Sequence, residues 1–262
     1  MHLLGAKDYV ISRSTQSLPR AILAALGLHL NWYEGLTGYL PGNWDVLWSL
    51  SIEELFYLGF PLLCLGLRRR RFLVPVLLLL ALSLPATRSA LAANPIWQEK
   101  ATLPGMAAIA TGVLGALLAA AVRPRRAWLP GLLRILGWAG LVAVLCFENR
   151  LWPRLGNGSL LLLTGGTLSL LLGFHWRPPV QCSRAAFGWL RSFGRLSYEV
   201  YLTHMFIVWP VVRAYKAFGG GPRWGILWYL PALAASWGLG WLVARYLSAP
   251  CASWMRRRLQ SV

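Results

Sequence analysis

Charged residues, and acidic ones in particular, are scarce in this chain of 262 residues. Asp and Glu total 8 against 26 Lys and Arg, and the four types together make up 13% of the sequence. Because a soluble domain carries about 25% charged residues, this deficit excludes an ordinary soluble fold. Hydrophobic residues make up 57% of the chain and form runs long enough to cross a bilayer as helices. The composition therefore predicts an all-α, multi-pass membrane protein.

Several familiar kinds of site are also missing. The 4 cysteines show no CxxC or CxxH spacing, which excludes the usual zinc and redox-pair patterns, and we expect them to be small apolar core residues. The sequence has no P-loop, GxSxG elbow, HExxH helix or dinucleotide fingerprint, so the chemistries that depend on those motifs are excluded. We predict neither a bound cofactor nor a metal ion.

The net charge of +18 does not indicate a nucleic-acid partner, because the basic residues form short clusters between apolar runs. Alternate loops carry 18 and 7 Lys and Arg, which predicts that the richer set and both termini are cytoplasmic. Within that set, the run from Arg68 to Arg71 is expected to signal orientation and to contact anionic lipid. We predict one membrane domain over 1–262 with a polar lead at 1–20 and about eight spanning helices. The predicted helices are 21–38, 46–67, 72–91, 103–122, 128–147, 158–175, 195–215 and 225–247.

A first polar string, WSLSIEELFY at 48–57, lies inside the second predicted helix and carries two adjacent carboxylates. Ionisable side chains cost several kcal/mol at bilayer depth and by default mark a functional interior. Helical spacing predicts that Ser49, Glu53 and Tyr57 share one polar edge, while Glu54 projects about 100° away. We therefore expect one of the two glutamates to line a cavity.

A second polar string, GRLSYEVYLTH at 194–204, lies inside the seventh predicted helix. Ser197, Tyr201 and His204 follow i, i+4, i+7 spacing and share a face, whereas Glu199 projects elsewhere. The helical rise places His204 near the midplane, at a depth similar to that of the glutamates. If the two edges face each other, a carboxylate, an imidazole and two phenols can run acid–base chemistry on a hydroxyl acceptor. The alternative is structural, since intramembrane Glu and His also tie helices together by hydrogen bonds.

At these residues the chain resembles the acyltransferase 3 family of integral-membrane O-acyltransferases. WDVLWSLSIEELFYLGFPLL at 44–63 is similar to the family signature WSLSxEExFYxxxPLL, and FGRLSYEVYLTHMFIV at 193–208 is similar to its GRxSYxxYLxHxPxx helix. PGMAAIATGVLGALLAA at 104–120 is similar to the intervening DAIAxGxLxAxL span, although Ala107 replaces the acid of that motif. The resemblance covers most of residues 20–250.

The resemblance implies transfer of a short acyl group, often acetyl from acetyl-CoA, to a carbohydrate hydroxyl of the bacterial cell envelope. It implies acyl-CoA as the donor substrate, a free or lipid-linked glycan as the acceptor, and the inner-membrane bilayer as the surroundings. The motif positions also supply candidate site residues. The catalytic candidates are Glu53, Glu54, Tyr57, Tyr201 and His204, and the substrate-binding candidates are Ser49, Arg195, Ser197 and Tyr198.

The chain also departs from the family pattern. Members normally begin with a DGLRA-type segment, a first-helix histidine in an FHxxF-like string, and an SGFxI helix, and we expect these to be missing here. Two alternatives to an active transferase therefore stay open. One is a catalytically silent, truncated member or a wrongly assigned gene start. The other is a proton-coupled transporter of small solutes, since midplane Glu and His also relay protons; the two signature strings argue against it.

Overall fold

The structure is a computed structural model that describes residues 10–11, 14–177, 188–219, 221 and 225–260. Every regular element in these ranges is a helix, which confirms the all-α class. Four helical segments are long and apolar enough to cross a membrane, and the bent pair Arg70–Leu82 with Leu84–Ala90 would make five. The four segments are Gly42–Gly66, Pro95–Ala121, Leu129–Trp176 and Gly225–Leu259. The count of eight spans and the cytoplasmic termini stay predictions. Residues 1–9 of the predicted polar lead at 1–20 lie outside the described residues.

The chain forms two compact units. The larger unit comprises Arg13–Tyr39 and Trp48–Val180, and the smaller unit comprises Met1–Ser12, Leu40–Leu47 and Gln181–Val262. The helices of the larger unit are α1 (Leu18–Leu26), α2 (Leu30–Thr37), α4 (Trp48–Gly66), α5 (Arg70–Leu82), α6 (Leu84–Ala90), α7 (Pro95–Lys100), α8 (Thr102–Ala121), α9 (Leu129–Leu155) and α10 (Ser159–Trp176). Those of the smaller unit are α3 (Gly42–Asp45), α11 (Gly188–Arg195), α12 (Ser197–Thr203), α13 (Met205–Ala217), α14 (Gly225–Val243) and α15 (Ala249–Gln260), with a π-helical turn at Ala244–Ser248.

Three of the predicted spans are interrupted helices. The span at 21–38 is wrong as a single helix, because Leu28 adopts φ +57° and separates α1 from α2. The span at 72–91 bends by 46° between α5 and α6. The span at 195–215 is divided between α12 and α13 at His204, whose backbone keeps helical angles. Apolar run length predicted where helices occur, but not where they break.

The core of the larger unit lies between α5 and α8. Leu77 and Ala110 are fully buried there, and Cys64 of α4 packs against the same cluster. The expectation of core cysteines is therefore met by Cys64 and is wrong for Cys146 and Cys251, which are exposed. Cys182 lies outside the described residues.

The helices α9 and α10 form an antiparallel pair whose backbones approach closely at glycines. A Cβ at Gly137 would lie 2.7 Å from the carbonyl oxygen of Gly166, so the close approach requires glycine. Arg134 interrupts the fifth predicted span. Its Nε donates a hydrogen bond to the carbonyl oxygen of Gly173 at 3.1 Å, and its Nη2 donates to the carbonyl oxygen of Arg177. Carbonyls at a helix C-terminus lack intrahelical partners and favour a cation, so Arg134 caps α10.

Candidate functional site

The helix α4 carries the first polar string, and its orientation in the larger unit is fixed by Ser51 and Ile52. Both residues are buried. Ser51 Oγ accepts a hydrogen bond from the backbone nitrogen of Leu30 at 3.2 Å, and Ile52 fills the space that a Cβ at Gly105 would need, 2.6 Å away. Glu53 and Glu54 follow Ile52 on the helix, and each successive residue is rotated by about 100° about the helix axis, away from this contact. The packing of α4 therefore decides how its glutamates are presented.

The two glutamates differ in environment. Glu53 is half-buried and Glu54 is exposed. Within the described residues, neither carboxylate makes an ion pair or a hydrogen bond. Of the other two candidates on α4, Ser49 is half-buried and Tyr57 is 63% exposed. The structure thus gives a carboxylate-bearing face on α4, with Glu53 as its more sheltered acid.

The second set of candidates lies in the smaller unit, at the end of α12. His204 Nδ1 lies 2.7 Å from the carbonyl oxygen of Tyr201, and the two rings are 6.1 Å apart between centroids. Because a carbonyl oxygen can only accept a hydrogen bond, Nδ1 of the neutral imidazole carries the proton and Nε2 is the acceptor. Tyr201 is itself anchored, since its hydroxyl donates to the carbonyl oxygen of Val46 at 2.9 Å. The backbone therefore holds the tautomer that can accept a proton at Nε2.

The remaining candidates are more accessible. Ser197 and Tyr198 are exposed in the first turn of α12, and Arg195 is exposed in the last turn of α11. Glu199 is half-buried, and its carbonyl oxygen accepts from Thr203 Oγ1 at 2.7 Å. The structure thus brings Tyr201 and His204 together inside the smaller unit. The predicted meeting of these residues with the glutamates of α4 stays a prediction.

An ion pair that the sequence analysis missed lies inside the larger unit. Lys100 Nζ donates to Glu34 Oε2 at 2.9 Å, and both side chains have no exposed surface. The ammonium also lies 4.6 Å from the ring centroid of Tyr39 and 5.9 Å from that of Trp48, the first residue of the polar string on α4. Desolvated charges are tolerated only when they are paired and hydrogen-bonded, and this pair meets that condition.

Asn31 completes this buried cluster. Its Nδ2 donates to the carbonyl oxygen of Lys100 at 3.1 Å and to Thr102 Oγ1 at 2.9 Å, and the residue is fully buried. These bonds tie α2 to the junction of α7 and α8. The rule applied to the glutamates of α4 could have found the cluster, since Asn31, Glu34 and Lys100 are polar residues beside apolar runs. Their spacing of 66 and 69 residues gave no signal that they meet.

No group of three or more His, Cys, Asp or Glu side chains within the described ranges is arranged to hold a metal ion. Among the described residues, four buried side-chain atoms have no hydrogen-bond partner: Oδ1 of Asn31, Oδ1 of Asn43, and Nε1 of Trp176 and of Trp209. The smaller unit therefore offers an oriented imidazole beside a phenol, and the larger unit, taken by itself, offers a sheltered carboxylate on α4.

Comparison with known proteins identifies the chain at the level of its family. Neither a curated protein nor a solved structure gives a significant match. A family model described as an acyltransferase domain matches residues 17–245, which include both polar strings and the buried ion pair. The matched region covers most of the chain and supports a membrane acyltransferase. The chain belongs to the acyltransferase 3 family.

Proposed function

We propose that this protein is a membrane O-acyltransferase that transfers a short acyl group from acyl-CoA to a hydroxyl of an envelope carbohydrate. The acyl group that we propose is acetyl. It works in the inner membrane of a bacterium with both termini in the cytoplasm. The observation that carries the proposal is the fixed orientation of His204. Its Nδ1 bonds the carbonyl oxygen of Tyr201, so Nε2 is presented as the proton acceptor.

In the proposed reaction, His204 is the general base. Nε2 takes the proton of the acceptor hydroxyl as its oxygen attacks the thioester carbonyl of the donor. The bond between the acyl carbon and the hydroxyl oxygen forms and the carbon–sulfur bond breaks. The departing thiolate then takes the proton from the imidazolium, which restores the neutral histidine and releases CoA as its thiol. The substrates supply every atom and electron of this exchange.

The carboxylates have a separate proposed role. A carboxylate accepts hydrogen bonds only, and a glycan presents many hydroxyl donors, so Glu53 suits the binding of the acceptor. Its half-buried position gives it a less hydrated environment than Glu54 on the same helix. The net charge of +18 supports recruitment of the anionic CoA donor from the cytoplasm. Ser49, Tyr57, Arg195, Ser197 and Tyr198 are proposed as further substrate contacts.

The test is transfer of label from radioactive acetyl-CoA to glycan in membranes that contain the protein. Removal of a general base costs about 10²–10⁴-fold in rate, so His204→Asn should lower transfer by at least two orders of magnitude. His175→Asn is the matched control, because His175 is an exposed histidine in the last turn of α10. Absence of transfer by wild-type membranes, or full activity of His204→Asn, would refute the proposal.

The same assay separates the two glutamates and the competing functions. Glu53→Gln should reduce transfer more than Glu54→Gln, and it should raise KM for the acceptor because the lost contact is to that substrate. Accumulation of a solute in vesicles without acylation would favour the transporter. A wild type as inert as Glu53→Gln would favour the silent family member.

A further inference from the structure

An apolar groove lies on the larger unit between α5, α8 and α10, and none of the candidate site residues is among those that line it. It encloses about 540 Å³ and runs along one stripe of α5 from Arg70 to Leu82. The 13 residues of α5 correspond to about 20 Å at 1.5 Å per residue. One leaflet of a bilayer has a hydrocarbon depth of roughly 15 Å, half of the ~30 Å core. The groove therefore has the length of a lipid chain in one leaflet.

Below Arg70, the described residues that line the groove offer no free side-chain hydrogen-bond donor. Thr111 and Thr164 line it, but each hydroxyl donates within its own helix, to Ala107 O at 3.3 Å and to Leu160 O at 2.9 Å. The other lining residues below Arg70 are aliphatic side chains and Gly165. A sugar or a nucleotide would leave its polar groups unpaired in such a groove, whereas a hydrocarbon chain would not. The shape and the chemistry of the walls thus indicate an acyl chain as the occupant.

The charge at one end of the groove identifies the headgroup. Arg70 lines the groove and is exposed, and it stands in a run of four arginines. Arg68 and Arg69 follow the C-terminus of α4, where cations are favourable, but Arg70 and Arg71 lie in the first turn of α5, where the helix dipole disfavours them. Among the described residues, none of the four forms an ion pair with a carboxylate. An anion at this end would neutralise both the guanidinium groups and the positive end of α5.

We propose that this groove is a binding site for one anionic phospholipid, with an acyl chain between α5, α8 and α10 and the phosphate on Arg70. The site is separate from the proposed acyl transfer and does not depend on it. A zwitterionic lipid of the same chain length fits the groove equally well but gains less from Arg70. Selection between the two lipids therefore depends on the headgroup, and occupancy by either depends on the groove.

Native mass spectrometry of the full chain tests the site. The protein is purified in mild detergent, and equal amounts of phosphatidylglycerol and phosphatidylcholine with the same chains are added. Wild type should retain phosphatidylglycerol preferentially, and Arg70→Gln should lower its retention about five-fold, which is the effect of one arginine near an anionic surface. Arg125→Gln is the control, because it removes the same charge from an exposed arginine that does not line the groove.

A second pair of variants tests the groove itself. A Cβ at Gly165 meets nothing within 4 Å, so Gly165→Leu places its side chain in the groove without displacing backbone. It should lower retention of both lipids, while Gly112→Leu, equally unobstructed but outside the groove, should not. Circular dichroism checks that every variant is folded. Equal retention of the two lipids by wild type, or a Gly165→Leu variant that binds like wild type, would overturn the proposal whatever the outcome of the acyl-transfer assay.

Discussion

The buried pair of Glu34 and Lys100 should dominate the stability of the larger unit. Each side chain has no exposed surface, and their charged atoms are 2.9 Å apart. When one member of such a pair is removed, the other charge stays buried without its counter-ion, at a cost of about 3–5 kcal/mol. When both are replaced by apolar residues, the desolvation cost disappears with the attraction, and the change is close to neutral.

The structure supports the same expected range for both single variants. In Glu34→Leu, the ammonium of Lys100 keeps the face of Tyr39 at 4.6 Å. In Lys100→Met, the carboxylate of Glu34 loses the hydrogen bond from Lys100 Nζ at 2.9 Å. We therefore expect each single variant to cost about 3–5 kcal/mol.

The assay is unfolding of the purified protein in mild detergent, followed by loss of helical circular dichroism. At about 2–4 °C per kcal/mol, each single variant should melt on the order of 10 °C below wild type, and the double variant within a few degrees of it. Glu99→Gln is the control, because it removes a carboxylate from the residue that precedes Lys100 in the chain. Glu99 is exposed, and the described hydrogen bond to its carboxylate comes from the Tyr39 hydroxyl. Single variants that melt with wild type, or a double variant as unstable as either single one, would refute this account of the pair.

Three further variants test local features of the fold by the same unfolding assay. Gly137→Ala should lower the free energy of unfolding by about 1–3 kcal/mol because its Cβ meets backbone of α10, whereas Gly131→Ala, in open space on the same helix, should be neutral or slightly stabilising. Leu28→Gly should raise the stability by up to about 1 kcal/mol, since φ +57° strains a residue with a side chain, and Leu28→Ala should show no such gain. Tyr201→Phe should cost about 1 kcal/mol through loss of the hydrogen bond to a backbone carbonyl, and a change within experimental error would show that this bond does not anchor α12.

Local patterns predicted the class of the fold well and its interruptions poorly. Runs of apolar residues predicted helices at the places where the structure has them, since in a bilayer the backbone must satisfy its own hydrogen bonds. Apolar run length did not register the breaks at Leu28, between α5 and α6, and at His204. The second of these falls beside Pro85, which has no N–H to continue the helical hydrogen bonds. The candidate site likewise divides into features that local sequence patterns predicted and features that they did not. Spacing placed Tyr201 and His204 on one face, but only the structure showed that a backbone carbonyl sets the tautomer of the imidazole.

The sequence by itself determined that this protein is helical, that it belongs in a membrane, and which family it joins, because composition, run length and two motif strings are properties of contiguous residues. The tertiary structure decided that Lys100 is a buried partner of Glu34 rather than a loop charge. It also decided that Ser51 and Ile52 set the presentation of Glu53, and that Arg70 stands at the end of an apolar groove. Each of these depends on residues from separate helices that meet only after folding, and on burial, which removes water and makes a single charge or hydrogen bond costly to leave unpaired.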